Sequence, residues 1–284
     1  MKRSIWLLGS TSLSLALLAS CESSKPATDV SAPTNAPAAS ASSAGRTNSG
    51  ETMESNGIRL SPITDSPRYP EAQMQMRTPF NNSTVPSGEV AFNYEVSNFI
   101  LTKMSGGPRM AQMANSAKGQ HIHNIVDNQP YTAHYETKFT KAIPDGQHAV
   151  LSFLSRSYHE SLKHRGAYDL RIVNVGDIPP TATPVIDVKA PHLFYSRPKD
   201  TYAGADARRI MLDFYLVNTT LDPSGNKVRA TINGTEFMIT NWTPFMMEGL
   251  PAGENTIKLE LVDGSNTLIP GPYNSVTRTF TVAP

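Results

Sequence analysis

Large apolar side chains fall on every second position through Val90-Ala91-Phe92-Asn93-Tyr94-Glu95-Val96-Ser97-Asn98, and Ile210-Met211-Leu212-Asp213-Phe214-Tyr215-Leu216-Val217-Asn218 repeats that phase about 120 residues later. Such period-two alternation predicts half-buried β-strands. The correspondence continues. Ile122-His123-Asn124-Ile125-Val126-Asp127-Asn128 matches Val228-Arg229-Ala230-Thr231-Ile232-Asn233-Gly234, which places a tight hairpin turn at the same point of each copy. Phe139 matches Phe245, and Ile143-Pro144-Asp145-Gly146 before Val150, Ser152 and Leu154 matches Leu250-Pro251-Ala252-Gly253 before Ile257, Leu259 and Leu261. Each copy ends on a strand, Tyr168 to Val173 and Thr277 to Val282. Short strands, frequent turns and almost no helical period predict an all-β fold of two tandem immunoglobulin-like antiparallel β-sandwiches after a disordered stalk, spanning residues 61–178 and 185–284. The proline-rich segment from Ile178 to Pro184 is expected to hold the copies apart.

The first sixty residues have a different character. Basic Lys2 and Arg3 precede an apolar run through Leu18, too short to span a bilayer, in the order of a secretory signal. Leu18-Ala19-Ser20-Cys21 resembles the lipobox of bacterial lipoproteins, which implies cleavage after residue 20 and lipidation (palmitate) of Cys21. With Glu22 rather than Asp next, the resemblance implies an outer-membrane destination in the cell envelope. Residues 21–60 are dominated by Ser, Ala, Pro, Thr, Asn and Gly, a composition expected to stay disordered.

Composition narrows the chemistry. Cys21 is the single cysteine, so its lipidation leaves no thiol for a disulfide, a zinc–thiolate site or a nucleophile. Cleavage removes two of the 25 basic residues, leaving 23 against 24 acidic ones, and such a balance gives no reason to expect nucleic acid as a partner. No Gly-x-Ser-x-Gly elbow, His-Glu-x-x-His pair or phosphate-cradling glycine loop occurs, which argues against an enzyme.

Candidate function comes from the differences between the copies. His121, His123 and His134 stand where the second copy has Lys227, Arg229 and Thr240, and the first copy alone carries the insertion from Lys103 to Ala117 with Met104, Met110 and Met113. Because Ile122, Asn124 and Val126 share the core face, His121 and His123 should point outward. A two-residue turn on Asp127-Asn128 gives cross-strand pairs summing to 255 and sets His134 opposite His121; a four-residue turn through Pro130 sets it opposite His123. An odd-length turn breaks the arrangement. Three imidazoles on one face would suit zinc or copper, with Glu136 as a fourth ligand or orienting group and Met110 and Met113 as secondary thioether candidates. The bland alternative is a solvated sheet face. Arg156 and His159, with Lys163 and His164, form a candidate anion site whose alternative is a polar loop. Trp242, Phe245, Met246, Met247 and Tyr273 offer an aromatic platform, unless they fill a core.

The run from Lys118-Gly119-Gln120-His121-Ile122-His123 through Ala133-His134-Tyr135, with Phe153-Leu154-Ser155-Arg156-Ser157-Tyr158-His159-Glu160-Ser161, resembles a family of uncharacterised bacterial envelope proteins, some labelled phosphopeptide-binding. That label implies a Ser-Arg-x-His element; here two residues separate Arg156 from His159. The resemblance covers the first copy and names no ligand. The resulting expectation is a non-enzymatic envelope lipoprotein, membrane-bound through its N-terminal lipid, that binds a metal ion or small ligand through the histidine hairpin. The alternative is a structural or adhesive module for protein, glycan or phosphopeptide.

Overall fold

The computed structural model describes residues 50–108, 110–178 and 185–284. Cys21 and Pro179 to Pro184 lie outside them. The protein is all-β: the helical segments among the described residues are three 3₁₀ turns of three to five residues.

The strands form four sheets. The first contains β3 (Gln73–Thr78), β5 (Gly88–Ser97) and β8 (Lys138–Ile143) in that order. The second runs β4 (Ser83–Val85), β10 (Tyr168–Val175), β9 (Gly146–Ser155), β6 (His121–Val126) and β7 (Thr132–His134). The third runs β1 (Met53–Ser55), β2 (Ile58–Pro62), β16 (Phe245–Glu248), β13 (Ile210–Val217) and β11 (His192–Arg197). The fourth runs β12 (Thr201–Tyr202), β18 (Ser275–Val282), β17 (Gly253–Val262), β14 (Lys227–Ile232) and β15 (Thr235–Ile239).

The duplication is exact in topology. Strands β3 to β10 recur as β11 to β18 in the same order, including the parallel pairing of β4 with β10 and of β12 with β18. Phe92 faces Phe139 across β5 and β8 as Leu212 faces Phe245 across β13 and β16, and Ile122 faces Leu154 as Val228 faces Leu261. Two immunoglobulin-like sandwiches result, each pairing a sheet of three equivalent strands with a five-strand sheet; in the second copy β1 and β2 extend the three to five.

Two expectations are corrected. Residues 53–60, assigned to the disordered stalk, and 61–62, assigned to the first sandwich, form the hairpin β1–β2, and β2 pairs antiparallel with β16 of the second sandwich. Its Ile58 and Leu60 enter the second core beside Phe245 and Met247. Asn56 and Gly57, both at positive φ, make the tight turn that a Ser/Asn/Gly-rich composition hides. The hairpin covers the edge of β16, whereas the equivalent β8 remains the edge of its sheet.

Nor are the copies held apart. Ile125, Leu151, Phe153 and Ile172 of the first sandwich pack against Phe194, Tyr215 and Val217 of the second, so the four sheets stack in one pile. This explains why β6, β11 and β13 are buried at every position while β5 and β18 alternate with exposed residues: only the outer sheets have a wet face. The turn of the first copy also caps an edge strand of the second. Asn128 Oδ1 accepts from Tyr195 N at 2.8 Å and its Nδ2 donates to the Leu193 carbonyl at 3.2 Å, as a neighbouring strand would.

Leu60→Ala should lower stability by about 2 to 5 kcal/mol, the usual range for emptying a buried leucine site. Chemical denaturation of the full chain measures it; a stalk residue would show no change.

Candidate functional site

His121 and His123 occupy alternate positions of β6, on the side away from the first sandwich's own core as expected. They are nevertheless fully buried, because the second sandwich covers that side. The solvated face expected around them exists instead in the second copy, where Arg229 pairs with Glu260 at 3.0 Å.

His134 does not join them. Asp127 and Asn128 both adopt positive φ, and Gln129 N donates to the Val126 carbonyl, so the tight turn forms where expected. Farther back, Ile122 faces His134 and Asn124 faces Thr132, pairs that sum to 256. The second copy shows the regular alternative, with Ile232 facing Thr235 across Asn233-Gly234. Pro130 has no N–H to give the ladder at the position following the turn, and one residue is taken up there as a bulge. A slip of one residue moves every later side chain to the other face. His134 therefore stacks on Phe139, with centroids 3.3 Å apart, and its Nε2 contacts Thr132 Oγ1 at 2.8 Å. The same slip turns Tyr131 inward, where its ring stacks on His123 at 3.6 Å.

The third imidazole is His159. Ligand nitrogens of His121, His123 and His159 all lie within 4.8 Å of one another. His159 sits in the turn after β9 at φ +68, a conformation unusual for a side-chain-bearing residue. Its counterpart is Asn266 at φ +62: Asp263 N donates to the Thr267 carbonyl in the second copy as Arg156 N does to that of Glu160 in the first. Aligning the two turns would have exposed this substitution of Asn by His.

The other candidates have structural roles. Arg156 donates to Glu160 Oε1 at 2.9 Å and through Nε to the Pro67 carbonyl at 3.0 Å, so its fork is engaged and the anion site proposed with His159 does not form. Met113 is buried with Ile63, Tyr158 and Met211, and Met110 packs on that cluster; the thioethers fasten the insertion to neighbouring elements rather than serving the imidazoles. Glu136 is exposed in the bend after β7, outside the cluster. Trp242 donates to the Phe214 carbonyl at 3.0 Å and meets Tyr215 edge-on, Phe245 and Met247 fill the second core, Met246 packs on the Met113 cluster, and Tyr273 bonds Asp127, so these residues form no free aromatic platform.

Within the cluster, His121 Nδ1 lies 2.8 Å from the Gly119 carbonyl, which can only accept, so the proton resides there and Nε2 presents a lone pair. That Nε2 is 2.8 Å from His123 Nε2, whose Nδ1 is buried without a partner. His159 Nδ1 lies 3.3 Å from the Tyr131 hydroxyl. Burial pulls His121 down to about 4, helped by Arg197, and pulls His123 and His159 well below the ordinary imidazole value, helped by neighbouring imidazoles and by Arg197 and Lys199. All three rings are neutral at pH 7, the state that coordinates metal.

No family model matches the chain, nor does any curated protein. Among solved structures, the fibronectin(III)-like modules of Clostridium thermocellum CbhA align at 10% identity and TM-score 0.25, covering 74% of this chain and 94% of that one. SGBP-B of the Bacteroides ovatus mixed-linkage glucan utilization locus aligns at 8% and 0.23, covering 74% and 47%. The tandem V-type regions of the chitin-binding protein VCBP3 align at 9% and 0.23, covering 75% and 100%. The fold assignment rests on the strand order above.

The depressed imidazoles fix a pH dependence. Below about pH 6.5 the unfolded chain takes up protons that the folded one refuses, so stability falls on acidification. Between pH 7 and pH 5 each fully buried ring should cost about 1 to 2 kcal/mol. Thermal melts should show a falling Tm over that range, with a shallower fall in His123→Phe; a flat profile would contradict neutral buried rings.

Proposed function

We propose that this protein is a non-enzymatic, lipid-anchored binding module of the bacterial cell envelope, most simply of the outer membrane, that holds a zinc or copper ion through His121, His123 and His159. The convergence of three neutral imidazoles beneath a neighbouring sheet carries this reading.

The donor set fits such an ion. Nitrogen ligands about 2 Å from a tetrahedral centre stand about 3.3 Å apart. The 2.8 Å His121–His123 contact would open slightly and the widest separation, up to 4.8 Å, would close by about 1.5 Å, motions within reach of side-chain torsions. The Gly119 carbonyl fixes the tautomer of His121, and the Tyr131 hydroxyl can accept from His159 Nδ1, the outer contacts that usually orient ligating imidazoles. The full covering of His121 and His123 favours retention of an ion over turnover of a substrate. Lipid attachment rests on the Leu18-Ala19-Ser20-Cys21 motif; no helix among the described residues is long and apolar enough to cross a membrane.

Metal titration of the full-length chain tests the site. His159→Asn, which installs the residue the second copy carries in the same turn, should fold normally and weaken zinc binding at least tenfold, about 1.4 kcal/mol. His134→Ala should leave binding unchanged. Equal zinc affinity in wild type and His159→Asn would remove the metal reading. For the anchor, acyl labelling should be lost in Cys21→Ser; label retained by that variant would remove the lipid.

A further inference from the structure

The two copies also differ inside their sandwiches. Matched by strand pairing, Tyr94, Asn124, Thr132, His134, Lys141 and Ser152 of the first stand where the second has Phe214, Ala230, Phe237, Ile239, Met247 and Leu259. The whole second set lies in an apolar core. The scaffold therefore needs no polar group at these positions, yet the first copy carries a connected chain of them. Tyr94 Oη and Ser152 Oγ lie 2.8 Å apart, and Asn124 Nδ2 donates to them at 3.3 and 3.1 Å, all three residues being buried. These contacts orient the amide, whose Oδ1 accepts from Lys141 Nζ at 3.0 Å. Lys141 also donates to Thr132 Oγ1 at 3.3 Å, which stands 2.8 Å from His134 Nε2. Both acceptors of the amine are neutral; Asp127, the carboxylate whose charge reaches it, is held by His148 at 2.6 Å and by Ala149 N at 2.9 Å. Lys141 is half-buried on β8, the edge strand that no hairpin covers.

We infer that Lys141 is a nucleophilic amine that takes up a small aldehyde as an imine, with Asn124 positioning it and the Thr132 hydroxyl carrying protons. Burial pulls Lys141 down to about 8, Asp127 opposing, and burial pulls His134 down to about 4, Lys141 assisting. At pH 7.5 the imidazole is neutral, and so is an appreciable share of the amine. Two N–H bonds of that amine point to Asn124 and Thr132, so its lone pair points away from both. The lone pair attacks the carbonyl carbon, a C–N bond forms, and the carbonyl π pair moves to oxygen. One N–H proton passes through Thr132 to that oxygen; the second leaves with the hydroxyl as water, relayed by His134, as C=N forms. An aldehyde needs no leaving group and is released by the reverse steps, which suits a module without turnover. Protection of an open edge from strand addition would call for the lysine but not for the buried network behind it.

The test is reductive trapping in the full-length chain at pH 7.5, with limiting acetaldehyde and sodium cyanoborohydride, which reduces an imine to a stable secondary amine; peptide mass mapping then locates the ethylated lysines. Lys141 should be labelled at least ~10-fold faster than Lys138, exposed on the same strand, because more of it is unprotonated. Thr132→Val, which keeps the shape and removes the hydroxyl, should slow labelling of Lys141 several-fold and leave Lys138 unchanged. Lys138 labelled as fast as Lys141 in wild type, or Lys141 labelling undiminished in Thr132→Val, would overturn the inference. The three-histidine site stands or falls separately, by metal titration.

Discussion

The central strands of two sheets in the middle of this molecule have no wet face, and most of the structure follows from that constraint. The five-strand sheet of the first sandwich and the three-strand sheet of the second, the latter extended by the N-terminal hairpin, are covered on both sides, one by its own partner sheet and the other by each other. A face packed this way must be apolar or must satisfy every polar group it carries. Ile125, Leu151, Phe153, Phe194 and Tyr215 meet the first condition. Asn128 meets the second by capping the edge of β11. Not every polar atom is satisfied: His123 Nδ1 has no partner, nor have His192 Nδ1 and Ser196 Oγ of β11.

The second copy shows what the same scaffold does without that burden. At the positions of His121 and His123 it places Lys227 and Arg229; buried Lys227 bonds the Gly264 carbonyl and part-exposed Arg229 pairs with Glu260. The two sheets are equivalent in strand order and differ in what lies above them. Charged side chains suit a face where each keeps a partner; neutral rings suit a covered one, where an unpaired charge would be expensive. The difference between the copies is therefore a consequence of stacking one sandwich on the other, and the histidines are read correctly only once the stack is known.

The strands, their pairing and the duplication were legible in the sequence because alternation and turn chemistry act over a few residues. Asp127-Asn128 and Asn233-Gly234 turn where their residue types require. The stack was also written there, less plainly: Ile210 to Val217 and Ala149 to Leu154 are nearly unbroken apolar runs, the mark of a strand covered on both faces. The register of the histidine hairpin depended on Pro130, a residue whose missing N–H acts through the ladder it interrupts. The hairpin at residues 53–62 was hidden by composition, since its stability comes from Leu60 and Ile58 in a core built by residues nearly two hundred positions away. The place of His159 beside His121 and His123 depends on the turn after β9, and in the sequence it shows only as a His where the second copy has Asn266.

The division of labour between the copies has an energetic consequence. All three imidazoles belong to the first sandwich, while Arg197 and Lys199 come from the second and help keep those imidazoles neutral. Separating the sandwiches would return water to His121 and His123, raise their affinity for protons and weaken their preference for a metal. Any ligand held at the seam thus binds the stacked arrangement better than the separated one, and stabilises it in proportion to that difference. Face-to-face packing and the proposed ligand binding at this seam would therefore be one equilibrium viewed from two sides, and the apolar contact of Phe153 with Tyr215, ring centroids 4.6 Å apart, would belong to the site as much as the imidazoles do.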